Sequence, residues 1–387
     1  MSVTMGVPRE SFPGERRVAI TPRHCETLAK SAVHVVVEPS AGVEAGFPDA
    51  EYTARGARLA DRDEVFQSSD IIAQVRCLGA NPEAGRADLA RLKPAQVLIG
   101  FGEPLTALNE TASLAKAGVS FFAMELVPRI TRAQSMDALS SMATFAGYEA
   151  VLMAASNLPK IFPMLMTAAG TIAPARVFVL GAGVAGLQAI ATSRRLGAVV
   201  SAYDVRQAVK EQVESVGAKF LELALDAGAA EDKGGYAKAM DEDFYRRQRK
   251  MLTETLPSQD VVITTAAVPG RKAPILITAE MVEVMPPGSV IIDIAAERGG
   301  NCELTRAGET VVHHGVSIIG PTNLASKAPY HSSQMYASNV VAFLKLLIKD
   351  GAVNMNLDDE IIRDTLVTHK NEVINARVNE LLSPAAR

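Results

Sequence analysis

The stretch ARVFVLGAGVAGLQAIATSRRLGAVVSAYDVR carries the most specific spacing in the chain, because Gly181, Gly183 and Gly186 follow an apolar run and open a helical one. The first glycine allows a tight turn, the second lets backbone approach a pyrophosphate, and the third lets the helix lie close on the strand. A helix start also presents unpaired N–H groups and a positive partial charge to phosphate. Roughly 20 residues further on, where the dinucleotide pattern places an acid, Asp204 ends the next apolar run. Its carboxylate can accept hydrogen bonds from a ribose diol and would repel a 2′-phosphate. Arg206 pulls the other way, but one Arg after the acid does not outweigh it. The spacing predicts dinucleotide binding and leaves the reaction open.

A second segment, VPRITRAQSMDALSSMATFAGYEAV, concentrates Arg129, Arg132, Gln134, Asp137, Ser140 and Ser141. Two readings stand: polar side chains converging on a carboxamide ring in an interdomain cleft, or a solvated linker whose Arg and Asp pair with one another. The polar stretch Ala224–Met240, with Asp226, Glu231, Asp232, Gly234 and Gly235, reads as a surface loop, either a plain connector or a lid. His313 and His314 alternate across an expected strand with no acid or cysteine at ligand spacing, so they read as structural histidines and no metal is expected. Met164 and Met166 read as core or pocket-wall fillers. Cys25, Cys77 and Cys302 are too few and too scattered for a disulfide framework or a C-x-x-C metal site. Reduced thiols are the expectation.

These groups need elements to hold them. Short β-branched runs alternate with helical patterns throughout 387 residues, the signature of parallel strands joined by helical crossovers. Expected strands of the first half are Val3–Val7, Val33–Glu38, Asp70–Val75, Gln96–Gly100 and Val119–Glu125. A second series comprises Arg176–Leu180, Val199–Tyr203, Phe220–Leu223, Asp260–Thr265, Val290–Ile294 and Val316–Ile319. Helix is expected from Ser332 through Leu347 and again from Asp358 to Leu382. The fold class is therefore α/β, two doubly wound Rossmann-like domains with an interdomain cleft, the first completed by C-terminal helices. The expected boundaries are 1–138 plus 329–387 and 139–328. A formal net charge of −4 provides no basic field for nucleic acid. No segment reads as a signal peptide or a membrane span, so the chain is read as soluble, with any membrane association made through another polypeptide.

The segments PRITRAQSMDALSS, FPMLMTAAGTIAPARVFVLGAGVAGLQAIATSRRLGA, DVRQAVKEQVESVGAKF, GGYAKAM, VITTAAVPG and DIAAERGGNCE resemble the soluble NAD(H)-binding alpha component of proton-translocating nicotinamide nucleotide transhydrogenase, in its separate-polypeptide form. The fold is shared with alanine dehydrogenase. In those enzymes an Arg in the opening segment, a Lys on a later strand and a His at the end of the next handle the substrate. Here Arg17 fits the first, but the later positions hold Gln74 and Phe101, and Glu297 stands where the dehydrogenases carry Asp. No acid or base for amino-acid oxidation is evident. Hydride passing directly from one dihydronicotinamide to a second ring needs none, only proximity and exclusion of water.

The resemblance implies that Arg129, Gln134, Asp137 and Ser140 orient the nicotinamide end, Asp137 as a positioner rather than a base. It implies further that Gly181, Gly183, Val184, Gly186, Asp204, Val205, Arg206 and Ala266 line the rest of the nucleotide, and that a mobile loop ending in Gly235 and Tyr236 closes over it. It implies NAD(H) on this chain and NADP(H) on a membrane-embedded beta component, Re/Si-specific transfer, and activity only with that partner. A small membrane alpha component is an optional third member, and the chain itself is expected to be a homodimer. The expected location is cytoplasmic, peripheral on the inner membrane through the partner. The alternatives are an alanine dehydrogenase-like enzyme and a non-catalytic NAD-sensing module.

Overall fold

The computed structural model describes residues 2–223, 242–268 and 270–383. It divides into two compact units, Met1–Met142 with Ala325–Arg387, and Ala143–Leu324.

In the first unit the parallel strands lie in the order Arg58–Leu59, Val33–Val37, Val3–Val7, Ile71–Arg76, Val97–Phe101, Ser120–Ala123. In chain order this is 3-2-1-4-5-6, the doubly wound arrangement. Helices on both faces explain why Ile71–Val75 is a continuous buried run rather than an alternating one. The sheet continues with Leu366–His369, antiparallel to Ser120–Ala123, and then Glu372–Val373. The helix expected over Asp358–Leu382 is thus interrupted: Glu360–Thr365 and Ala376–Leu382 are helical, and a hairpin lies between them. The reason is local and tertiary together. Lys370 and Asn371 both adopt positive φ, 49° and 67°, which closes a two-residue turn whose twist suits a hairpin. Thr368 also donates to the Val119 carbonyl at 2.7 Å, on the neighbouring chain segment.

In the second unit the parallel strands run Lys219–Phe220, Val199–Tyr203, Arg176–Leu180, Val261–Thr264, Val290–Asp293, Val316–Ile319, again 3-2-1-4-5-6, with Thr310–His313 added as an antiparallel edge. Alternate residues of the first strand feed two cores. Val177 and Val179 pack with Ala150, Ala154, Ala189 and Ile190, while Phe178 and Leu180 pack with Leu252, Leu256, Ile277 and Met281. Helix Ala138–Asn157 is long and apolar enough to cross a membrane by length and composition alone. Its Ala150, Val151 and Ala154 are fully buried in this core, and a Cβ at its Gly147 would stand 2.1 Å from the Ala185 carbonyl oxygen. The helix packs one face into this core at glycine distance.

Two sequence expectations change here. Met164 and Met166 are 57% and 77% exposed beside or within the hairpin Leu165–Thr167/Gly170–Ile172, so they fill no core. His313 and His314 do not alternate across a strand. The strand ends at His313, and His314 (φ 49°) with Gly315 (φ 76°) forms the tight turn to Val316. A left-handed residue breaks the period of two, so the two rings lie 4.7 Å apart on one side, beside Glu283.

Candidate functional site

Open doubly wound sheets bind ligands at the carboxyl ends of the strands where the winding reverses, between the first and fourth strands. In the second unit that point lies between Arg176–Leu180 and Val261–Thr264. Gly181 turns the chain there with φ 95°, a conformation open to glycine, and its carbonyl accepts from Thr265 Oγ1 at 3.0 Å. A Cβ on Gly186 would sit 1.9 Å from the Gly181 oxygen, so helix and strand meet at a distance only hydrogen allows. Gly183 differs. It precedes helix Val184–Arg195 in extended backbone, and a Cβ there would meet nothing within 4 Å. Open space stands over the helix N-terminus, whose first turn holds no acidic residue. Val184 is exposed at its start.

Asp204 is buried beside this turn and accepts from the Ala182 N–H at 2.7 Å, from the Arg206 N–H at 2.9 Å, and from Arg206 Nε and Nη2 at 3.0 and 2.9 Å. Those four bonds fill the acceptor positions of a carboxylate. The spacing of residues left Asp204 free for a ribose diol; the structure commits it to the glycine-rich turn and to Arg206. A diol reaching Asp204 must displace part of the guanidinium, the side-chain donor of the set. Val205 lies half-buried against the Phe178 core. Ala266 has both backbone groups held by Asn301, whose Oδ1 accepts its N–H at 2.9 Å and whose amide donates to its carbonyl at 2.8 Å. Asn301 is in turn fixed by the fully buried Asp293, which accepts from the Asn301 and Cys302 N–H groups and from Thr264 and Thr305 hydroxyls. Sequence reasoning named Ala266 but missed Thr265, Asp293 and Asn301. The segment DIAAERGGNCE carried the last two, but no spacing rule revealed their partner. Cys302 is buried, and burial pushes its thiol up to about 11.

In the first unit the corresponding point, between Val3–Val7 and Ile71–Arg76, is taken by the chain's own charges. Arg17 is buried and pairs with Glu15 through Nε at 2.7 Å and Nη2 at 2.6 Å, and Arg76 adds a third contact at 3.2 Å while lying over the Phe12 ring. Burial alone would raise Glu15, but the two guanidinium charges outweigh it and bring the carboxyl to about 2. Glu10 accepts from the Val75 and Arg76 N–H groups, yet burial first and the Glu15 charge second push it up to about 8. Gln74 is buried, donates weakly to Asp88 and accepts Tyr336 at its carbonyl, and Phe101 tilts against the Tyr336 ring. Both are packing residues. Arg76 ends this strand, and a guanidinium is no proton-transfer group.

The second polar segment forms the turn Thr131–Met136 and the start of helix Ala138–Asn157. Asp137 accepts from the Ser140 N–H at 2.9 Å and from its hydroxyl at 2.6 Å, a helix cap. Arg132 forms a two-pronged pair with Asp359 at 2.7 and 2.9 Å, so its acidic partner lies far along the chain rather than at Asp137. Asn339 donates to the Ser135 carbonyl at 2.9 Å and holds the turn. Gln134 is exposed on it and Arg129 just before it, and Glu297 is exposed in the turn Ala296–Arg298. Gly235, Tyr236 and the polar stretch before them lie outside the described residues.

An open glycine-rich turn at the winding reversal of one sheet, with an acid beside it, defines a dinucleotide-binding protein of the two-unit α/β class. The chain belongs to the alanine dehydrogenase/PNT family, whose N-terminal domain model matches residues 6–146 and whose C-terminal domain model matches residues 150–376. It is 46% identical over 375 residues to an NAD(P) transhydrogenase subunit alpha polypeptide of Rhodospirillum rubrum, covering 96% of this chain and 97% of that protein. The crystal structure of a transhydrogenase from Sinorhizobium meliloti matches with a TM-score of 0.84 at 41% identity, covering 96% of this chain and 99% of that one. An alanine dehydrogenase of Halomonas elongata stands further off, 30% identical over 384 residues, covering 97% and 96%. Within the family the chain stands with the transhydrogenase alpha subunits.

Proposed function

We propose that this chain binds NAD(H) and exchanges a hydride directly with NADP(H) held by a partner polypeptide, in a Re/Si-specific reaction that the partner couples to proton movement. The observation that carries the reading is paired. The second unit offers an open approach at Gly183, while Gln74 and Phe101, which the resemblance sets at the dehydrogenase Lys and His positions, pack against Tyr336. A dihydronicotinamide C4 giving hydride to another ring C4 moves no proton in that step, so no side-chain base is required. The protein's task is to hold the ring and exclude water.

In this reading Gly181, Gly183, Val184 and Gly186 receive the pyrophosphate, and Asp204, Val205, Arg206 and Ala266 the adenosine side. Arg129, Gln134, Asp137 and Ser140, with Gly235 and Tyr236, orient the nicotinamide. The residues present fit such a group, since the space over Gly183 lies where phosphate oxygens would meet helix N–H donors. When bound, the nucleotide supplies the hydride chemistry, and the chain supplies orientation. NADP(H) then belongs to a beta component in the membrane, where this chain docks from the cytoplasm. A homodimer is proposed too, supported by the exposed apolar hairpin around Met164, Leu165, Met166 and Ile172.

The test is calorimetric titration of the chain with NADH and with NADPH, followed by single-turnover hydride transfer to NADP+ after adding the beta component. NADH-selective binding and partner-dependent transfer are expected. Sustained NADH formation from NAD+ and L-alanine by the chain alone would overturn the reading in favour of the amino-acid dehydrogenase.

A further inference from the structure

We propose that Glu283, His313 and His314 form a binding site for a divalent transition metal, with Zn2+ the ion they suit best. Glu283 Oε1 lies 3.2 Å from His313 Nε2 and 3.6 Å from His314 Nε2, and the three ligand atoms all fall within 4.8 Å of one another. A tetrahedral ion with bonds of about 2.0–2.1 Å to nitrogen and oxygen needs ligand atoms roughly 3.4 Å apart. Two of the three edges bracket that value already. Small rotations of exposed side chains close the third.

The arrangement is built by the backbone. The two-residue turn after His313 needs positive φ at both positions, and His314 and Gly315 supply it. Histidine tolerates the left-handed region better than branched residues do, so the turn sets a second imidazole beside the first. Glu283 ends helix Ala279–Glu283, and the loop that follows is tied to the same turn through the Gly288 N–H, which donates to the Gly315 carbonyl at 2.7 Å. Carboxylate and imidazoles therefore come from two segments already hydrogen-bonded to each other.

The donor set selects the ion class. Two imidazoles and one carboxylate suit Zn2+, Ni2+ or Cu2+, while Mg2+ and Ca2+ prefer shells made of oxygen. All three side chains reach solvent, so the remaining coordination position goes to water. The place is equally informative. His313 pairs with Val316, the first residue of its strand, whereas Gly181 follows the last residue of a strand running the same way. The site thus sits at the end of the sheet opposite the glycine-rich turn. It braces the edge strand Thr310–His313 and takes no part in hydride transfer, and it stands whether or not the proposed transhydrogenase reading does.

The experiment titrates chelator-treated, full-length protein with Zn2+ in a calorimeter, with Mg2+ as control, and measures melting with and without Zn2+. The variant is His314→Asn, because Asn also accepts a left-handed turn. Wild type is expected to bind one more equivalent of Zn2+ than the variant, or to bind it at least tenfold more tightly, to melt higher with Zn2+, and to give no heat with Mg2+. NADH affinity is expected to be the same with and without Zn2+. Equal Zn2+ stoichiometry and affinity in wild type and variant would overturn the proposal. Should His314→Asn misfold, His313→Gln, in regular strand, decides the question by the same comparison.

Discussion

The glycines of the nucleotide turn perform separable tasks, and alanine substitutions at two of them should separate folding from binding. At Gly183 the backbone is extended (φ −74°, ψ −169°), which alanine adopts without strain, and the added Cβ meets nothing within 4 Å. Alanine is a poorer N-cap than glycine, by up to about 1 kcal/mol. It also removes freedom from the unfolded chain, worth about 0.4–1 kcal/mol in the other direction. Gly183→Ala should therefore leave unfolding stability within about 1 kcal/mol of wild type. Its methyl nevertheless occupies the space assigned to the pyrophosphate, so NADH affinity should fall at least about tenfold, or 1.4 kcal/mol. Gly186→Ala inverts the pattern. Its Cβ would stand 1.9 Å from the Gly181 carbonyl oxygen, and rigid backbone must move, costing at least about 2 kcal/mol. Urea titration measures the first quantity and calorimetry with NADH the second. A folded Gly183→Ala that binds NADH as tightly as wild type would refute the placement of the pyrophosphate.

Other outcomes are open to direct measurement. Asp137→Ala loses both bonds to Ser140 and should cost about 1 kcal/mol of stability. Asp137→Asn keeps an acceptor and should restore most of it, so a hydride-transfer rate in the reconstituted complex that stays depressed in Asp137→Asn assigns the charge a positioning role. Glu10, at about 8 in the fold against an ordinary 4.5, binds its proton more tightly folded than unfolded. Its contribution to stability is thus lost as pH rises between those values, by at most about 1.4 kcal/mol per pH unit. Glu10→Gln should flatten the stability profile between pH 5 and 8, and an unchanged slope would remove Glu10 as its source. Glu15, held at about 2, acts oppositely: its contribution is present above 4.5 and lost as pH falls toward 2. Met166→Asp places charge on the exposed hairpin and should convert a dimer to a monomer in sedimentation while leaving the melting of each chain intact, whereas an unchanged dimer would relocate the interface.

The arrangement supports the proposal that the second of two similarly wound units takes the dinucleotide. Both sheets reverse their winding in the same way, yet at that point the first unit packs Arg17 and Arg76 around the one carboxylate of Glu15. The second leaves backbone donors and open space at Gly183. Filling a crevice with paired charge is stable only because each desolvated group has its partner. An incoming ligand would have to break that pairing.

Strands whose apolar runs are buried on both faces were legible in the residues alone: Val3–Val7, Arg176–Leu180, Val199–Tyr203 and Val316–Ile319 fall where their patterns put them. So was the glycine-rich turn, because its geometry is a property of a few consecutive residues. Long-range partners were not. Nothing near Asp204 in the chain says that its carboxylate accepts from the Ala182 N–H, and nothing near Ala266 names Asn301. The C-terminal hairpin was hidden because LVTH becomes a strand with Ser120–Ala123 alongside, and Glu372–Val373 only with LVTH beside it. His314 escaped because a periodic reading assumes ordinary φ, and a single left-handed residue moves its side chain to the other face. Local backbone chemistry is written in neighbouring residues. Which donor meets which acceptor is decided when segments distant in sequence are folded to within hydrogen-bonding reach of each other.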